Sequence, residues 1–264
     1  MAFARVNGIV LHYRLSGKKG MPFLALANSL GTDGRIWDQV IGLLADRYQI
    51  ISYDKRGHGL STAPAGDYTI DANVADLAGL LDQLGVDRLA LAGVSIGGLI
   101  GQRFALLHPD RLAALILCDT AARLGDAAMW NGRIEAVRSH GLASIADAVM
   151  ARWFTEPFRR QSPDDLVGWQ TMFERMPAQG YIGTCAALRD ADLREAIGAI
   201  AVPTLVVAGE QDLSTPPDLV RDMAAAIPGA RFELIAGSGH IPSIEQPAVL
   251  AGLMTQFFNE VGHV

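Results

Sequence analysis

Residues Leu89 to Gly101 read LALAGVSIGGLIG, an apolar run that meets a serine with no linker and passes straight into a second apolar stretch. Gly93 and Gly97 stand two positions before and after Ser95, and Gly98 follows. A strand that becomes a helix this abruptly must turn within one or two residues, and small neighbours leave room for the turn. Strand-then-helix is half of a parallel crossover unit, so this stretch commits the chain to an α/β architecture. FLALANS, YQIISYD, LAALILCD, TLVVAGEQD and RFELIAG are short and apolar, as strands covered on both faces are. IVLHYRL alternates like a half-buried strand. Ile70, Val74, Leu77, Leu81 and Leu84 mark one face of a helix over Ile70–Leu84. Ile96–His108 predicts a second helix, stopped before Pro109, and Pro247–Glu260 a last one. From Thr120 to Leu193 the chain turns to tryptophan, methionine and arginine at helical spacing, too long for an ordinary connection. The expected fold is one α/β domain with a mostly parallel, doubly wound sheet. Residues 1–119 and 194–264 form its core, and a helical cap is inserted at 120–193.

With 264 residues, half of them hydrophobic, the chain can bury one sizeable core. A net charge of −6 and the absence of any basic run argue against a nucleic-acid partner. No apolar run approaches the length of a membrane span. The opening, MAFARVNGIVLHYRLSG, lacks the long apolar segment of a secretion signal. Cys118 and Cys185 make a poor disulfide framework and read as small buried residues. A cytoplasmic protein without membrane contact is expected.

Gly93-Val94-Ser95-Ile96-Gly97 matches G-x-S-x-G, the pattern of a serine nucleophile presented at a strand-to-helix turn. The helix starting at Ile96 aims free N–H groups at the same point. A glycine-flanked serine is also an ordinary turn in a chain with 28 glycines; the strand before it and the helix after it favour the nucleophile. Such a serine needs a base, and the base needs an orienting carboxylate. His240, in the glycine-rich loop after the last strand, is the candidate base. His58, in DKRGHG, is the rival, although that loop also suits packing beside the site. His12 lies in an early strand and is expected to be partly exposed; His108 ends a helix, His140 lies in the cap and His263 in the tail. Asp212 closes TLVVAGEQD at the carboxyl end of a strand, where catalytic groups gather in open α/β sheets. Asp119, after LAALILC, is the runner-up and also reads as a turn cap; Glu210 stands two residues too early. The order Ser95, Asp212, His240 is the one expected on this fold. Acyl transfer also needs oxyanion donors. Ile96 N–H is one candidate, and Leu30 N–H, in the loop NSLGTDGRIWD, is the other. No histidine and carboxylate spacing suggests a metal site.

SLGTDGRIWD, YDKRGHGLS, GVSIGG, GEQD and GSGH together resemble the α/β-hydrolases across nearly the whole chain. Many relatives open the oxyanion loop with His-Gly, where this chain has Asn28-Ser29-Leu30-Gly31. NSLGT, YDKRGHGLS and a cap containing WNGRIEAVRSHG resemble the 3-oxoadipate enol-lactonases of bacterial aromatic catabolism. The resemblance implies a serine hydrolase that opens 3-oxoadipate enol-lactone to 3-oxoadipate through an acyl-enzyme, with no metal or organic cofactor. The small-molecule partner then carries a carboxylate, which calls for a buried cation, most simply an arginine. Arg123, Arg133, Arg138, Arg152, Arg159, Arg160 and Arg175 are available in the cap. Arg133, three residues after Trp130, is the first choice, with Arg138 and Arg152 next; a surface salt bridge is the ordinary fate of any one of them. Trp130 and Trp153 either line the pocket or pack the cap onto the core. A general carboxylesterase, a carbon–carbon bond hydrolase and a non-catalytic small-molecule receptor are the competing readings. A dehalogenase is disfavoured, because those resemble this fold with an aspartate where Ser95 stands.

Overall fold

Eight strands make a single sheet in a computed structural model that describes all 264 residues. They are β1 (Ala2–Val6), β2 (Ile9–Gly17), β3 (Phe23–Ala27), β4 (Gln49–Tyr53), β5 (Leu89–Val94), β6 (Leu112–Cys118), β7 (Thr204–Gly209) and β8 (Arg231–Ile235). Their order across the sheet is β1-β2-β4-β3-β5-β6-β7-β8. β2 runs antiparallel to both β1 and β4, and every other pairing is parallel. Each apolar run picked out above becomes a strand. β1 is an addition: Asn7-Gly8, with φ of 47° and 81°, folds it back onto β2. Asn-Gly favours the two-residue hairpin turn whose twist matches the strands, a signal that a search for apolar runs passes over.

Every residue of β5 and β7 is buried, so both faces of the sheet are covered. The connecting helices include α1 (Asp38–Leu44), α2 (Ile70–Gln83) and α3 (Ile96–Leu107). α2 starts where Thr69 accepts a hydrogen bond from the Ala72 amide, and α3 stops at His108, ahead of Pro109. Five helices then fall between β6 and β7 with no strand among them: α4 (Ala127–His140), α5 (Ala146–Trp153), α6 (Glu156–Gln161), α7 (Pro163–Glu174) and α8 (Ala178–Asp190). α9 (Pro217–Ala226), α10 (Pro242–Glu245) and α11 (Pro247–Glu260) complete the chain. No helix is long and apolar enough to cross a membrane.

The buried apolar side chains form one continuous cluster of 81 residues. It runs from strand residues such as Leu91 and Val206 into the inserted helices through Trp130, Trp153, Phe173 and Tyr181. At β3 the winding reverses, with β4 on one side and β5 on the other. The carboxyl ends of β3 and β5 flank that switch point, where an open α/β sheet leaves a crevice.

Candidate active site

Ser95 joins β5 to α3 at φ 58° and ψ −118°, a left-handed backbone that a non-glycine residue holds at a cost of about 1–3 kcal/mol. The surroundings impose it. The Ser95 amide donates to the Cys118 carbonyl at 2.9 Å, and its carbonyl accepts from Leu99 N at 3.1 Å and Thr120 Oγ1 at 2.7 Å. A Cβ on Gly93 would lie 2.2 Å from the Gly97 backbone, and one on Gly97 would lie 2.4 Å from the Ala27 carbonyl. Both glycines are therefore required by close backbone approach.

His240 is brought to Asp212 by the loops after β8 and β7. Its Nδ1 lies 2.8 Å from Asp212 Oδ2, and both residues are buried. Ser214 N donates to Asp212 Oδ1 at 2.7 Å, and Thr215 Oγ1 to Oδ2 at 2.5 Å. Burial opposes ionisation of Asp212, but the charge of His240 and these hydrogen bonds outweigh it and hold the carboxyl below its ordinary pKa. Asp119, the runner-up, does not bond His240. Its Oδ1 accepts from Gly209 N at 2.7 Å, its Oδ2 has no partner, and burial together with the neighbouring Asp212 charge pushes its pKa well up. Glu210 is exposed and accepts from the Gly237 amide.

The other histidines are placed elsewhere. His58 is fully buried; its Nε2 accepts from the Gly31 amide at 3.0 Å and its Nδ1–H donates to the Arg56 carbonyl, so it braces the loop carrying Leu30. His12, expected to be partly exposed, is buried, with Nδ1 2.8 Å from Asp54 Oδ2. That correction follows from the added strand, because Phe3 on β1 packs its ring on His12. His108 packs on Phe104, and His263 stacks on Tyr48.

A small cavity of about 100 Å³ gathers the remaining candidates: Leu30, Ser95, Trp130, Arg133, Trp153 and His240 all line it. Ile96 is buried beside it at the first position of α3. Arg133 makes no ion pair. Its guanidinium donates to Tyr181 Oη at 3.3 Å and sits 5.7 Å from the Trp130 ring. Arg152 also reaches the cavity, but it is exposed and donates to the Leu213 carbonyl. Arg138 is exposed and paired with Glu135, away from the cavity. Trp130 Nε1 is fixed on the Leu124 carbonyl at 2.5 Å. Trp153 packs edge-on against Phe173, and its carbonyl accepts from the His240 amide at 2.9 Å, so it both lines the cavity and ties the inserted helices to His240. A larger cavity of about 490 Å³, lined by residues such as His12, Arg14 and Arg175, contains none of these groups.

Four contributors escaped the sequence reading. Thr215 orients Asp212, Tyr181 orients Arg133, and Lys55 reaches the oxyanion loop. Glu245 on α10 accepts from Gly239 N at 2.7 Å, Thr155 N at 3.0 Å and Thr155 Oγ1 at 2.7 Å, joining the His240 loop to the start of α6. Of these, Lys55 lies in DKRGHG and Glu245 in AGSGHIPSIEQP, stretches noticed for their histidines, whereas Thr215 and Tyr181 lie in neither.

This strained serine on a strand-to-helix turn, backed by a histidine–aspartate pair, matches the alpha/beta hydrolase fold over residues 23–247, and the chain belongs to that family of hydrolases. Within it, the chain is 38% identical to 3-oxoadipate enol-lactonase 2 of Acinetobacter baylyi, over 90% of this chain and 89% of that one. It is 31% identical to 3-oxoadipate enol-lactonase 1 of the same organism, over 97% and 95%. The crystal structure of the enol-lactonase from Burkholderia xenovorans superposes with a TM-score of 0.95 at 38% identity, covering 98% of this chain and all of that one.

Proposed function

We propose that the chain is a serine hydrolase that opens 3-oxoadipate enol-lactone to 3-oxoadipate, acting in the cytoplasm in aromatic catabolism. The observation that carries this reading is Arg133, a guanidinium without a carboxylate partner, on the same small cavity as Ser95 and His240. Residues 120–193 act as a cap that supplies Arg133, Trp130 and Trp153 over a catalytic core of 1–119 and 194–264. The likeness to two enol-lactonases at 38% and 31% identity supports the same substrate.

His240 takes the proton of Ser95 as its oxygen attacks the lactone carbonyl. Asp212, ionised and bonded to Nδ1, stabilises the imidazolium that forms. The amides of Leu30 and Ile96 hold the oxyanion. Collapse of the tetrahedral intermediate breaks the ring C–O bond, and the departing enol takes the proton from His240 and tautomerises to the ketone. Water, deprotonated by His240, then releases the diacid from Ser95. Arg133 binds the free carboxylate throughout.

The test is turnover of the enol-lactone by the purified chain, beside an aryl ester and a vinylogous diketone. The lactone is expected to turn over fastest, and Ser95→Ala to lose at least about a thousandfold in kcat while staying folded. A folded Ser95→Ala that keeps more than about a tenth of the wild-type kcat refutes the serine mechanism. Faster turnover of the diketone or the ester refutes the lactone assignment alone.

A further inference from the structure

The peptide unit joining Ser29 to Leu30 has two ends. One is the Leu30 N–H, which is bonded to nothing within the protein. The other is the Ser29 carbonyl, and it is crowded with donors: Lys55 Nζ at 2.5 Å, Thr32 Oγ1 at 3.0 Å and Asn28 Nδ2 at 3.2 Å. Lys55 follows β4, is 1% exposed, and makes its only side-chain hydrogen bond to this carbonyl. Burying an ammonium is costly. Burial pushes the Lys55 pKa well down, with Asp54 and Asp33 acting against it. The loop does not need Lys55 as its sole anchor, because Asn28, Thr32 and His58 already bond it.

We propose that Lys55 is a positioning residue of the oxyanion hole, polarising the Ser29–Leu30 peptide from behind so that Leu30 N–H becomes a stronger donor. The inference rests on the serine-hydrolase reading. Amide resonance links the two ends of a peptide group, so drawing electron density toward the carbonyl oxygen makes the N–H more positive. An oxyanion accepts from that N–H more strongly than the ground-state carbonyl does, so the gain falls mainly in the transition state and appears in kcat. The second oxyanion amide is built in the same way with a hydroxyl donor: Thr120 Oγ1 bonds the carbonyl of the Ser95–Ile96 peptide at 2.7 Å.

Lys55→Met removes the donor at similar volume, and Lys55→Gln leaves an amide donor in its place. For each, kcat and KM on the lactone are measured, with the inhibition constant of a trifluoromethyl ketone whose adduct on Ser95 places an oxyanion in the hole. For Lys55→Met, kcat and ketone affinity are expected to fall together by about ten- to thirtyfold, a fraction of the loss on deleting an oxyanion donor, with KM within about threefold. Lys55→Gln recovers part of both losses. Changes within about threefold in both quantities overturn the assignment. So does a rise in KM accompanied by lost product affinity, which marks a displaced loop. If the Met variant does not fold, the Gln variant decides, with about a threefold or larger loss expected in kcat and ketone affinity alone. Wild-type turnover that survives Ser95→Ala overturns the serine-hydrolase reading and this inference with it, whereas Ser95-dependent turnover unaltered in the Lys55 variants overturns only the role of Lys55.

Discussion

Asp119 and Asp212 are neighbours whose surroundings push their pKa values in opposite directions. Asp212 accepts from His240, Thr215 and Ser214, which hold its pKa down, whereas Asp119 has one donor, an unpartnered oxygen and a raised pKa. Asp212→Asn is expected to cost about 10⁴-fold in kcat, because the amide cannot stabilise the imidazolium or hold its tautomer. Asp119→Asn replaces a carboxyl held toward its neutral form with a neutral amide at φ 47°, a backbone asparagine tolerates, and kcat should stay within about fivefold. Its stability tells more. Below the unfolded carboxyl pKa of about 3.9, folded and unfolded wild type are both protonated, and the two proteins compare evenly. Above that value only the unfolded wild-type chain gains by ionising Asp119, so the Asn variant becomes relatively more stable as pH rises toward the raised folded value. Urea titrations across pH check the sign, and a flat difference shows that Asp119 ionises in the folded protein. Arg133 is tested by substrate choice. Arg133→Ala should lose about ten- to a hundredfold in kcat/KM on the lactone acid, the worth of a charge-assisted hydrogen bond of about 1.5–3 kcal/mol, and little on a neutral ester of similar size. Equal losses on both substrates would indicate a damaged cap.

At the scale of elements, the turn between β5 and α3 is held by backbone contacts on every side. Gly93→Ala pushes a Cβ to 2.2 Å from the Gly97 backbone, and backbone cannot swing away as a side chain can. A destabilisation of about 1–3 kcal/mol or more is expected, with kcat lowered because Ser95 shifts with the turn. Urea unfolding and steady-state kinetics on the same preparation measure both, and an unchanged midpoint would mean that the turn relaxes freely. The loop carrying His240 is tied differently. Its His240 amide donates to the Trp153 carbonyl and its Gly239 amide to Glu245 on α10, which in turn accepts from Thr155, so the loop depends on the inserted helices as well as on the sheet.

Across the whole molecule, one apolar cluster spans the sheet and the inserted helices. Two layers sharing a core unfold together unless one is stable without the other. Trp37 lies among the core elements, while Trp130, Trp153 and Trp169 lie on α4, α5 and α7, so tryptophan fluorescence follows the insertion. Far-UV circular dichroism follows all the helices and strands. The two probes should give coincident urea midpoints, and an earlier fluorescence transition would show the cap opening on its own.

Much of this was written in the local sequence. Period and composition marked the strands from β2 to β8 and the helices at Ile96 and Pro247, because those signals depend on residues a few positions apart. The same locality made the turn at Ser95 legible, since the glycines it requires are its neighbours at two positions. Chain order was enough to nominate Asp212 and His240, because strand ends in a parallel sheet meet on one edge. Other features were decided only when the sheet order and packing brought distant groups together. The sequence ranked Asp212 over Asp119 by chain order alone, and a contact across 28 residues put Asp212 on His240. It put Arg133 first among seven cap arginines only by likeness, and a contact across 48 residues turned Arg133 to Tyr181 beside the cavity. It did not assign Lys55, whose Nζ meets the Ser29 carbonyl 26 residues away. Periodicity describes which face of an element is buried; what that face touches is set by how the elements stack, and no local pattern carries that information.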